Sequence, residues 1–137
     1  MSIVDGVAAV ENFWARVWQA RAPEAVDELV HEDFVIVNAG SEIRGRAAFK
    51  TWVEGFLDAV HDLEFTVVET FQNSDGTRVC SLWELTGRNN GIVGLEPDGR
   101  PVHLTGTAVW DVHPDGTLLR NRVERNAFEL HQRLTNS

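Results

Sequence analysis

The chain has 137 residues and a formal net charge of −9. That surplus of carboxylates repels phosphate backbones and anionic headgroups, which excludes nucleic acid and membrane surfaces as natural partners. The length fits one domain over 1–137 with one sizeable core, and no apolar run approaches a membrane span.

Cys80 is the only cysteine, so an internal disulfide is excluded. The N-terminus lacks a basic segment followed by an apolar stretch, and the expected setting is cytoplasmic. There is no tyrosine to act as a phenolic acid. Lys50 is the one lysine, and it lies in a helical stretch of exposed character.

The first element is a helix over Ile3 to Ala20, with Val7, Val10, Phe13, Trp14, Val17 and Trp18 at helical spacing. Pro23 opens a second helix that runs to about Val30. Phe34 to Val37 predicts a short strand, closed by the turn residues Asn38-Ala39-Gly40-Ser41. A third helix follows from about Arg46 to Val60, with Phe49, Trp52, Val53, Phe56 and Leu57 on one side.

Four long strands come next. Asp62 to Phe71 alternates Leu63, Phe65 and Val67 onto one face, and that phase continues to Glu69. The Asn73-Ser74-Asp75-Gly76 turn leads into Arg78 to Arg88, with Val79, Ser81, Trp83 and Leu85 on one face. A loop with Gly and Pro, Asn89 to Pro101, precedes the last hairpin, which turns at Asp115-Gly116. In its first strand Leu104, Ala108, Trp110 and Val112 share a face, with Gly106 between them. In its second strand the inward phase that takes Val123 also takes Asn121 and Arg125. A short helix, Asn126 to Leu134, closes the order. Helices gathered on one side of a bent, mainly antiparallel sheet make an α+β fold.

The five histidines show neither HxH nor HExxH spacing, so no metal site is expected. Gly87-Arg-Asn-Asn-Gly91 is not followed by a helix and is no phosphate loop. No cofactor is expected.

Trp83 with Thr86-Gly87, then Gly91, Gly94, Pro97, Gly99-Arg100, Gly106, the Asp115-Gly116 turn and the closing helix resemble the SnoaL-like polyketide cyclase group. That group belongs to the nuclear transport factor 2-like superfamily. The resemblance covers nearly the whole chain. It implies a cone: three N-terminal helices packed on a strongly bent sheet, with a small-molecule cavity at the open end. It also implies a homodimer through the outer sheet face, where Thr105, Thr107 and Val109 point. Ketosteroid isomerases of the superfamily carry a tyrosine at the place of Trp14, a base aspartate near Asn38 and a protonated aspartate at Ala108. The cyclases carry a histidine near Ala108 and an aspartate near Val123. This chain departs at each of those places.

The implied cavity is lined by Trp14, Asn38, Trp83, Trp110, Asn121 and Arg125. The indoles favour a small apolar or aromatic ligand, and Asn38 and Arg125 would orient it through a carbonyl or acidic group. Proton-transfer chemistry of cyclase, isomerase or dehydratase type would then need another acid or base. Glu69 on the inward phase and His103 at the rim are the candidates. The alternative is a non-catalytic binding module that has lost the acid and base.

Overall fold

The computed structural model describes residues 4–135, so the expected helix start at Ile3 lies outside the described residues. Helix α1 runs over Gly6–Phe13, capped by Asp5, whose carboxylate accepts the Ala8 N–H at 3.0 Å. It continues without a break into a π-helical turn over Trp14–Gln19. There the Ala20 N–H reaches the Ala15 carbonyl and the Ala22 N–H reaches Val17, each five residues back. The widened turn lets Phe13, Trp14, Val17 and Trp18 all be buried. Pro23 opens a single 3₁₀ turn over Pro23–Ala25, and α2, Val26–Leu29, is shorter than its sequence suggests.

Strand β1 spans Val30–Asn38, and Ala39 and Gly40, both at positive φ, turn the chain into β2, Ser41–Arg44. Helix α3, Arg46–Ala59, buries Phe49, Val53 and Phe56. The remaining strands are β3 (Val60–Gln72), β4 (Arg78–Asn89), β5 (Pro101–Val112) and β6 (Leu118–Arg125), followed by α4 (Ala127–Thr135).

The six strands form one curved, unclosed sheet in the order β2-β1-β6-β5-β4-β3. β1 and β6 pair in parallel; the other neighbours are antiparallel. This is the α+β architecture the element order implies. Residues directly opposite one another share a face, so the register writes out the inner wall in rows. One row runs Val67, Trp83, Gly106, Arg125. The next inner row starts at Thr70 and runs through Ser81, Ala108 and Val123 to Asn38. A further row carries Val79, Trp110, Asn121 and Ile36.

The β3–β4 ladder slips between Val67 and Glu69, which pair with Trp83 and Leu82. Val68 is the extra residue of this bulge. Beyond it the inward phase passes to Thr70 and Gln72. Gln72 uses that phase to accept the Val7 N–H of α1 at 3.0 Å, satisfying a donor at the helix start.

Candidate functional site

The cleft lies between the helices and the inner face of the sheet. The α1–π turn contributes Phe13, Trp14 and Trp18, and α3 contributes Phe49, Trp52 and Phe56. The sheet contributes Ile36, Phe65, Trp83 and Leu85, with Asn121, Val123 and Arg125 from β6. The space between atoms is about 410 Å³ when the open mouth is counted. The free interior is far smaller, about 30 Å³, room for about two waters. A ligand with a ring therefore needs side chains at the mouth to give way. Trp52, half-buried and edge-on to Trp18 at 6.3 Å, is placed to do so.

The aromatic wall is held by packing and by one buried relay. Phe65 lies 4.6 Å from Trp14 and 5.5 Å from Trp83, ring centre to ring centre. The Trp14 Nε1–H donates to Ser81 Oγ at 2.9 Å, and Ser81 Oγ lies 2.8 Å from Thr70 Oγ1. Ser81 is fully buried, so this relay fixes the Trp14 ring against the sheet. Across from Trp83 there is no side chain at Gly106, and the indole fills that gap. A Cβ on Gly106 would lie 2.3 Å from Trp83 Cζ2.

Three polar atoms of the cleft are unsatisfied. Trp83 Nε1, Asn121 Oδ1 and Arg125 Nε are buried without a hydrogen-bond partner. Arg125 stands over the Phe56 ring at 5.6 Å, and burial pulls its pKa below the ordinary guanidinium value. Arginine remains charged under such a shift. No Asp, Glu, His, Cys or Lys lines the cleft among the described residues. Nor does any group of three or more His, Cys, Asp and Glu converge there to hold a metal ion.

The structure brings Trp14, Trp83, Asn121 and Arg125 together and leaves the other expected site residues out. Glu69 is exposed on the outer face, because the Val68 bulge reverses the phase of β3 one residue before it. His103 is also exposed and outward, 3.3 Å from Glu84 across the β4–β5 ladder. Trp110 is fully buried in the core rather than lining the cleft, with Phe13 at 5.0 Å and Phe34 at 6.2 Å. Asn38 ends the inner row beside Val123 but does not line the cleft, although its Oδ1 is buried and unpaired. The loop after β4 does not line the cleft either. Asn89 holds it by donating to the Glu96 carbonyl and to Asp98, each at 2.8 Å.

Sequence reasoning missed Ser81, Thr70, Trp52 and Phe56 as parts of the site. Ser81 could have been found. It is a hydroxyl on the same alternating face as Val79 and Trp83, where a buried polar group needs a partner.

The family model of the SnoaL-like domain matches residues 10–121. The chain belongs to the SnoaL-like family. A comparison with curated protein sequences returns no significant match. Among solved structures, a protein designated a SnoaL-like polyketide cyclase from Jannaschia sp. CCS1 superposes with a TM-score of 0.87 at 17% identity. That likeness covers 97% of this chain and 93% of the other. IdmH from Streptomyces antibioticus, designated a polyketide cyclase, gives a TM-score of 0.79 at 18% identity over 95% and 98% of the two chains. An epoxide hydrolase of LEH-like type from M. tuberculosis gives 0.72 at 20% identity over 96% and 85%. At these identities the likeness establishes the fold, which hosts more than one reaction.

Proposed function

We propose that this SnoaL-like chain, acting as one domain over 1–137, is a binding module for a small, flat, apolar ligand. The observation that carries this reading is the composition of the cleft. Its walls are mainly aromatic rings, its Trp83 Nε1, Asn121 Oδ1 and Arg125 Nε are unpaired, and no Asp, Glu, His, Cys or Lys lines it among the described residues. The rings would supply affinity by leaving water, at roughly 25 cal/mol per Å² of apolar surface. The unpaired atoms would fix orientation.

A second reading is favoured by the neighbours designated polyketide cyclases. In it the chain acts on a carbonyl or polyketide-like compound by proton transfer. Arg125 and Trp83 would then stabilise an enolate oxygen, and the proton would leave to water because no side-chain base is at hand. Incubation of a bound β-dicarbonyl compound with the protein in D₂O separates the two. Binding without faster deuterium uptake at the α-carbon fits the module; protein-dependent uptake fits the enzyme and overturns it.

The outer sheet face supports assembly as a homodimer. Val68 and Phe71 stand 61% and 50% exposed there, beside Leu82 and Val109. Light scattering should give twice the 15.3 kDa chain mass. A single-chain mass at micromolar concentration would count against it. A single free thiol and the lack of any described helix able to cross a membrane are consistent with a cytoplasmic placement.

A further inference from the structure

We infer that the ligand carries a carboxylate, borne on a flat aromatic frame and seated against Arg125. The inference rests on the binding reading above and adds the charge of the ligand to it.

Arg125 combines a buried, unpaired Nε with the lack of any ion pair among the described residues, whereas Arg21, Arg46 and Arg133 donate to backbone carbonyls and Arg122 is exposed. Arg16, Arg44, Arg78, Arg88, Arg100 and Arg120 each pair with a carboxylate. Arg125, facing the cleft, pairs with none among the described residues. Carboxylates are not scarce, since the chain has 21 acidic residues against 12 basic ones. The acidic groups near it in the ladder, Glu124 and Glu84, alternate to the outer face, and neither makes an ion pair with it. Arg125 is half-buried with its Nε shut off from water; a cation so desolvated without a counter-charge is costly, and the Phe56 ring offsets only part of that cost. The cleft therefore favours a negative charge beside Arg125.

The unpaired atoms define the shape of that charge. Arg125 Nε and Trp83 Nε1 are both donors, and Trp83 is only 6% exposed. Two donors call for an acceptor-only group, which an ionised carboxylate is. A guanidinium edge also matches a carboxylate in a planar fork. A neutral carbonyl would satisfy a donor and leave the charge uncompensated. Asn121 Oδ1, an acceptor, is left for a hydroxyl or N–H elsewhere on the frame.

The test is calorimetric titration of the full chain with benzoate, 2-naphthoate and anthracene-2-carboxylate, each beside its own carboxamide. At least one acid should bind about tenfold or more tighter than its amide, the size expected for a charge-assisted hydrogen bond. Arg125→Gln should bring that ratio to about one by weakening the acid far more than the amide, and Arg125→Lys should keep part of the preference. Equal affinity for acid and amide would overturn the charge and leave the binding module standing. So would a preference that persists in Arg125→Gln. If neither acids nor amides bind at millimolar concentration, the binding module falls and the inference with it. Should Arg125→Gln fail to fold by circular dichroism, the wild-type ratio and Arg125→Lys still decide.

Discussion

Replacing Gly106 with alanine tests the packing of the cleft wall. The backbone at Gly106 is not in the left-handed region, so alanine is locally allowed. Its Cβ would nevertheless lie 2.3 Å from Cζ2, 2.5 Å from Cε2 and 2.9 Å from Cη2 of Trp83. The indole has to move, and it is stacked on Phe65 at 5.5 Å with Trp14 beyond at 6.5 Å. Overpacking of a filled interior costs about 1–3 kcal/mol. The stiffer unfolded chain of an alanine variant returns about 0.4–1 kcal/mol. Gly106→Ala should therefore lose about 1–2 kcal/mol in urea denaturation, with a shift in tryptophan emission. In a Trp83→Leu background the new methyl meets no ring, and the same change should cost nothing. The double-mutant cycle should give a coupling of about 1 kcal/mol or more. A Gly106→Ala protein as stable as wild type with unchanged emission would refute the reasoning, as would an equal cost in both backgrounds.

Trp110→Ala should destabilise the protein by about 3–5 kcal/mol in denaturant, because a fully buried indole leaves a void among Phe13, Trp14 and Phe34; a loss below about 1 kcal/mol would place the ring on a collapsible wall. Ser81→Ala strands the Trp14 indole N–H and should cost about 1–3 kcal/mol by the same measurement, with a near-zero change arguing against the relay. Glu69→Gln and His103→Gln, both on the outer face, should leave stability within about 0.5 kcal/mol and ligand affinity within about twofold. A tenfold loss of affinity in either titration would bring that residue back to the cleft.

The periodicity of the sequence carried most of the architecture and part of the site. The apolar spacing of α3 reads off Phe49, Val53 and Phe56 correctly, and alternation along β6 shows why Asn121, Val123 and Arg125 share a face. What was hidden depends on single-residue irregularities. The bulge at Val68 has no turn residue to mark it, since Val67-Val68-Glu69 reads as uninterrupted strand, yet it sends Glu69 outward. Strand β2 escaped notice because Ser41-Glu42-Ile43-Arg44 has one apolar residue and gains its order from pairing with β1. The π turn is equally silent, because it reuses the apolar spacing of the helix it extends. Trp110 illustrates a different gap. Alternation places it on the inner face, but only the packing of Phe13 and Phe34 decides between core and cleft.

The parallel pairing of β1 with β6 has a consequence for how the protein is made. β3, β4, β5 and β6 are successive hairpin neighbours, and β1 with β2 forms a separate hairpin earlier in the chain. In the sheet the two pieces join along the β1–β6 ladder, from Val30 opposite Leu118 to Asn38 opposite Val123, a closure between distant parts of the sequence. During synthesis Trp14 and Trp18 emerge long before the strand that carries Asn121 and Arg125. The rings must therefore wait, exposed or loosely collapsed, for their polar counterpart. A nascent chain halted before β6 has the aromatic half of the site without the charged half. Binding at the cleft would thus wait for β6 to join β1 and β5.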